Sequence, residues 1–202
     1  MGKRILFVDT ETGGLDPAQH SILSLGAVVY QDGEVLDRFY SVVNEGINLS
    51  VTPGALKVNG FTVDSIERDG LLPTEVLYDL GTFMKRWGLT KDVTLAGHNV
   101  NFDIGFIKRL FDKGGWGAKY TDVFSYRSID TMAIAGFLSY AKLIKTSRVS
   151  LDNLLTEFHL KREEKDHNAL EDAELAAKVF TAMVGLVSNP TGNSSSPYPD
   201  VV

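Results

Sequence analysis

Residues 5–17 read ILFVDTETGGLDP. Ile5, Leu6, Phe7 and Val8 form an unbroken apolar run, the pattern of a strand buried on both faces. Side chains alternate along a strand, so Ile5, Phe7, Asp9 and Glu11 share one face while Leu6, Val8 and Thr10 share the other. Two carboxylates therefore stand where a core strand leaves the interior, just before the Gly13-Gly14 turn. Two more strands follow, SILSLGAVVY at 21–30 and VLDRFYSVV at 35–43, with QDGE as the hairpin turn between them. Thr52-Pro53 reads as a helix cap followed by proline at the first helical position. The pattern predicts a helix over 74–87, a strand over 93–97, and helices over 101–112, 131–143, 150–158 and 169–187. Antiparallel strands followed by β–α alternation predict an α/β protein with a mixed sheet flanked by helices. One domain is expected over 1–187. The stretch from 188 to 202, SNPTGNSSSPYPDVV, has the Pro, Ser, Gly and Asn content of a disordered tail.

The chain has 202 residues, of which 44% are hydrophobic and 23% charged, the balance of a soluble globular domain. Cysteine is absent, which excludes disulfides and thiolate metal sites. Any metal must then be held by Asp, Glu or His, a donor set that favours Mg²⁺ or Mn²⁺. No apolar run is long enough to span a bilayer and the N-terminus lacks a signal-peptide pattern, so no membrane partner and a cytoplasmic location are the default. The formal net charge of −6 argues against holding nucleic acid by charge alone. It does not argue against an enzyme whose cations meet the phosphate.

The inward carboxylates recur. Asp103, Phe106, Ile107 and Leu110 lie on one face of the helix at 101–112. Asp172, Leu175, Ala176, Val179, Met183 and Leu186 form the stripe of the last helix, with Glu171, Glu174 and Lys178 on its other side. A single such acid has a structural explanation, as a cap or as a partner of the helix dipole. Four of them, with no matching set of inward Arg or Lys in the pattern, favour a shared cation, because an unpaired buried carboxylate costs several kcal/mol. His167 precedes Asp172 in a polar stretch, and its ordinary pKa suits a general base.

Three segments carry a family resemblance. DTET supplies Asp9 and Glu11, HNVNFD ends on Asp103, and HNALED runs from His167 to Asp172. In this order they resemble the three motifs of the histidine-containing (DEDDh) branch of the DEDD 3′–5′ exonucleases. The likeness runs from about residue 4 to 186. It is greatest to the epsilon proofreading subunits of bacterial DNA polymerase III and related stand-alone exonucleases. It implies a ribonuclease-H-like fold, a mixed five-stranded sheet with helices on both faces. It also implies that Asp9, Glu11, Asp103 and Asp172 bind two divalent cations, Mg²⁺ or Mn²⁺, with Asp9 bridging them. His167 would take a proton from the attacking water, and nucleoside 5′-monophosphates would leave from a single-stranded 3′ end. DNA is the favoured strand. RNA ends or short oligoribonucleotides are the alternative, and a polymerase is a candidate partner. A non-catalytic nucleic-acid-binding module is a further reading, one that would predict loss of a ligand. An unrelated carboxylate-metal hydrolase is a remote fourth.

The resemblance also marks residues around the substrate. Thr12, Gly13, Gly14 and Leu15 follow the first motif where the family grips the terminal nucleotide, and Leu15 is placed to wedge under a base. His98 and Asn99 precede the second motif, where they would either touch substrate or tie strand to helix; Phe102 would pack on a base, while Phe106 reads as core and Asp130 as a helix cap. Two departures stand out. Asn59 replaces a histidine that lies near the terminal nucleotide in the epsilon group, and Ser24 stands where many relatives carry glutamate. Basic residues cluster at 108–119 and 142–148, between the motifs, where they would guide a single strand.

Overall fold

The computed structural model describes residues 2–163 and 168–188. Three strands come first: β1 (Ile5–Thr12), β2 (Ile22–Gln31) and β3 (Glu34–Val42). Helices α1 (Pro53–Asn59), α2 (Val63–Asp69) and α3 (Pro73–Arg86) lead to β4 (Val93–Gly97) and α4 (Val100–Lys113). Then come α5 (Tyr120–Val123), β5 (Phe124–Asp130), α6 (Thr131–Tyr140), α7 (Leu151–Glu157) and α8 (Ala169–Ser188). The strands form one mixed sheet in the order β3-β2-β1-β4-β5, with β1 antiparallel to β2 and parallel to β4.

Local chemistry explains most boundaries. The β2–β3 hairpin turns through Asp32 (φ 52°) and Gly33 (φ 96°), the positive-φ pair that such a turn demands. The Thr52 hydroxyl accepts the Ala55 N–H and Pro53 opens α1, as the sequence predicts. Three elements escape the sequence pattern. Edge strand β5 exposes Tyr126, Arg127 and Ser128 and shows no apolar alternation. Helix α2 buries only Ile66, too little for a stripe, and α5 is a single turn. Helix α8 runs through Ser188, one residue into the stretch read as tail. The rest of that stretch, 189–202, and His167 lie outside the described residues.

β1 is buried on both faces, as its apolar run requires. Leu6 and Val8 pack with Val76, Leu80 and Phe83 of α3 and Phe106, Ile107 and Leu110 of α4. Phe7 packs on the opposite face with Val28, Tyr30 and Ala96, beneath Ala173, Ala176 and Ala177 of α8. The single stripe read for α8 divides in two. Its alanines face the sheet, while Leu175, Val179 and Met183 meet Ala135 and Leu138 of α6 and Leu154 and Leu155 of α7.

Gly26 sets how closely α8 approaches the sheet. It lies opposite Asp9 in the β1–β2 register. A Cβ on Gly26 would sit 2.3 Å from the Ala169 carbonyl, which is backbone and has no room to yield. The missing side chain lets the first turn of α8 rest on β2 beside Asp9. A Gly26→Ala variant should lose about 1–3 kcal/mol of stability by overpacking, read as a drop in melting temperature of several degrees.

Candidate active site

The four inward acids arrive from both faces of the sheet. β1 carries Asp9 and Glu11 to its C-terminal end. Asn168 precedes α8, its side-chain oxygen accepting the Leu170 N–H at 2.9 Å and its carbonyl accepting the Asp172 N–H at 2.9 Å. That cap fixes the first turn, from which Asp172 projects. One carboxylate oxygen from each of Asp9, Glu11 and Asp172 lies within 4.8 Å of the other two.

Asp103 comes from the α4 side. Asn99 adopts the left-handed conformation (φ 61°, ψ 39°) and turns the chain from β4 straight into α4. β4 pairs with β1 only over Ile5–Phe7, so the β1 edge beyond is open. Asp103 takes that edge. Its Oδ1 accepts the Thr10 backbone N–H at 2.9 Å and the Thr10 hydroxyl at 2.7 Å. The side chain is 3% exposed. Asp103 thus stands beside the three-carboxylate group with one oxygen committed to the strand that carries Asp9.

Burial, joined by crowding of like charges, raises Asp9 and Asp103. Burial, and then the charges of Asp103, Asp172 and Glu11, hold Asp9 well above the ordinary carboxylate range, with Arg162 opposing. Burial pushes Asp103 up to about 7 against the two hydrogen bonds from Thr10 that lower it. The donor set is all oxygen, close enough to share a centre and short of positive charge. It fits a hard divalent cation such as Mg²⁺ or Mn²⁺.

One sequence expectation needs correction. Arg162 is an inward arginine, its side chain 16% exposed. It donates to Asp172 and reaches Asp152 at 3.2 Å and Glu171 at 3.7 Å. Nothing in LKREEKD distinguishes Arg162 from its charged neighbours, because the loop has no period to give it a face. Glu171 and Glu174 are likewise drawn in, to Arg162 and Arg38, leaving Lys178 as the exposed charge of that side. A single arginine among four acids leaves the negative excess in place.

The loop after β1 is held by backbone bonds. The Gly13 N–H donates to Ser21 O at 2.8 Å, and Gly13 O accepts the Thr52 N–H at 2.7 Å. A Cβ on Gly13 would strike Ser50 O at 2.3 Å. Thr12 donates its hydroxyl to Gly14 O, and Leu15 is 85% exposed. Asn59 is buried, with its amide on Thr12 O at 3.2 Å, so α1 is tied to this loop. His98 binds the Thr131 hydroxyl through Nδ1 at 3.0 Å, and burial lowers its pKa. Asp130 caps α6 through the Met132 N–H and also accepts the Asn99 N–H, both at 2.9 Å. Phe102 is half-buried against Phe106, which is core as expected.

Sequence reading missed a second network. Glu45, buried, accepts the Ser21 hydroxyl at 2.8 Å and pairs with Lys113 at 2.9 Å. Three of the four bases at 108–119 have partners: Lys113 pairs with Glu45, Lys108 lies over the Tyr120 ring and Lys119 over Trp116. Lys142, Lys145 and Arg148 of the second cluster are exposed. No described helix is long and apolar enough to cross a membrane.

The raised carboxylates predict how stability follows pH. Asp103 keeps its proton when folded up to about pH 7, whereas its ordinary value is 3.8. The folded state binds more protons between these values, so this stability is complete below about pH 4 and is lost as pH rises through 7. In chelator, the melting temperature should fall over that window, and Asp103→Asn should flatten the fall. An equal slope in the variant would exclude Asp103 as its source.

The RNase_T family model, described as exonuclease, matches residues 6–180. The epsilon subunit of DNA polymerase III from Buchnera aphidicola is 28% identical over 193 residues, covering 91% of this chain and 73% of its own. The PolC-type DNA polymerase III of Listeria monocytogenes is 33% identical over 169 residues, covering 84% of this chain. The chain spans only 10% of that protein and 12% of the Thermotoga petrophila PolC-type polymerase, to which it is 29% identical. Escherichia coli exonuclease I, solved with a dT13 oligonucleotide, superposes with a TM-score of 0.74 at 16% identity, over 94% of this chain and 42% of that one. This likeness establishes the fold, an α/β ribonuclease-H-like sheet of five strands with helices on both faces. Fold, motif order and family match agree: the chain belongs to the RNase T exonuclease family, within the DEDD superfamily of 3′–5′ exonucleases.

Proposed function

We propose that this protein removes nucleotides one at a time from the 3′ end of single-stranded DNA, with two divalent cations, Mg²⁺ or Mn²⁺, held by Asp9, Glu11, Asp103 and Asp172. The observation that carries this reading is the approach of the Asp9, Glu11 and Asp172 oxygens to within 4.8 Å, on the residues that match the family's motifs. When bound, the cations would supply charge stabilisation for the attacking and departing oxygens of the phosphodiester.

The chain's own groups do the rest. Asp9, on a rigid central strand, would help to hold the cations. Asp103 is locked by Thr10, so its remaining oxygen has a fixed direction. His167, outside the described residues, is the proposed base for the attacking water. Thr12, Gly13, Gly14, Leu15 and Asn59 would receive the terminal nucleotide. Gly13 and Gly14 let this loop pack closely on Ser50 and His20, which fixes the backbone offered to the nucleotide. His98, Asn99 and Phe102 would border the next position. DNA is favoured over RNA because the named relatives are DNA polymerase III proteins and exonuclease I is seen with DNA. The same relatives support a polymerase as partner and the cytoplasm as location.

The test uses 5′-labelled single-stranded DNA and RNA of one sequence with Mn²⁺. Wild type should give a ladder shortening from the 3′ end, faster on DNA. Asp9→Asn should lower kcat by about 10³-fold or more with the fold retained, as expected when a group organising transition-state charge is lost. His167→Ala should lose about 10²–10⁴-fold, the range for a general base. Faster RNA shortening would shift the reading to an exoribonuclease. Near-normal turnover by Asp9→Asn would refute the site.

A further inference from the structure

We propose that Arg162 is a built-in competitor for the divalent cations, an internal counter-ion whose charge must leave Asp172 Oδ1 before a cation can use that oxygen; this rests on the two-cation reading above. Its guanidinium donates to Asp172 Oδ1 through Nη1. A guanidinium has five donors and no acceptor, and the partners it reaches here are all carboxylates. Its side chain is 16% exposed, which makes this a largely desolvated contact rather than a surface pairing.

The contact opposes a cation at Oδ1 on electrostatic grounds. Mg²⁺ coordinates oxygen at about 2.0–2.1 Å. A carboxylate oxygen that receives both a guanidinium N–H and such an ion brings two positive charges within about 4 Å, where repulsion in a poorly solvated space is severe. The two occupants are therefore alternatives at that oxygen. The arginine also has a resting place nearby. Nη2 already reaches Asp152 Oδ1 at 3.2 Å, and Nη1 lies 3.7 Å from Glu171 Oε2. Asp152 and Glu171 lie outside the group formed by Asp9, Glu11 and Asp172. Releasing Asp172 thus moves Arg162 from one acid to two others without stranding its charge.

The arrangement gives Arg162 two opposite effects. It relieves repulsion among the acids when no cation is bound, and it weakens the first binding event by the same contact. Removing it should tighten cation binding and cost stability in chelator. A residue that merely shaped Asp172 for its ligand would do the reverse to affinity.

The experiment is a calorimetric titration of Mn²⁺, without nucleic acid, into wild type, Arg162→Gln, Arg162→Lys and Asp9→Asn. Melting temperatures are measured in chelator and in Mn²⁺. Arg162→Gln should bind Mn²⁺ at least about tenfold more tightly than wild type, the effect of losing one charge-assisted hydrogen bond. It should melt lower in chelator and gain more from Mn²⁺. Arg162→Lys, which keeps charge but not the fork, should fall between the two. Equal or weaker binding by Arg162→Gln overturns the proposal. If that variant does not fold, Arg162→Lys decides it: binding no tighter than wild type overturns it. Unchanged binding by Asp9→Asn would instead refute the acids as the cation site, and no binding by any folded form would refute both.

Discussion

The structure turns on mutual repulsion between carboxylates confined where solvent cannot screen them. Separately, each has a comfortable position: Asp103 and Asp172 occupy first helical turns, where the helix dipole favours an acid, and Asp103 accepts two hydrogen bonds from Thr10. Burial first, and then their charges, hold Asp9 well above its ordinary pKa. A protein that needed only a cap at either position would have no reason to aim both at the end of β1. The repulsion makes sense as a means of drawing positive charge to a fixed point, and Arg162 shows that the site takes it from within the chain as well.

Sheet geometry makes the convergence possible. A strand buried on both faces can receive partners from both. α8 approaches over Gly26 and its alanines, bringing Asp172 to the face of Asp9 and Glu11. α4 approaches from the opposite face. Its acid can join them only because β4 stops pairing with β1 at Phe7, leaving the Thr10 N–H for Asp103. The place where the parallel pairing ends is thus the place where the two faces communicate.

Much of this was legible in the sequence because periodicity reports burial. The 5–8 run marked the central strand, and acids at apolar positions marked the site before any resemblance was considered. Elements without a buried stripe left no such signal: β5 is a polar edge strand, and α2 buries one side chain. Arg162 and Glu45 were invisible for a related reason. Both lie outside the α-helices and strands, where side-chain direction follows no period, and only the assembled fold shows that they point inward. The division of α8 into two faces was hidden because alanine reads as apolar whether it touches a sheet or another helix.

The Glu45 network adds a mechanical link between the acids and the loop after β1. Glu45 grips Lys113 at the far end of α4 and Ser21, whose hydroxyl accepts the Ser50 N–H. Ser21 also accepts the Gly13 N–H through its carbonyl, and Thr52 donates to Gly13 O. Asp103 lies near the other end of the same helix, roughly 15 Å away at the rise of an α-helix. α4 is therefore a strut with an acid of the cluster at one end and the bracing of the Gly13 loop at the other. In the proposed reaction, the scissile phosphate must meet the acids while its terminal nucleotide rests on that loop. A rigid helix spanning both fixes their separation, which a flexible connection could not do to the tolerance that in-line attack requires.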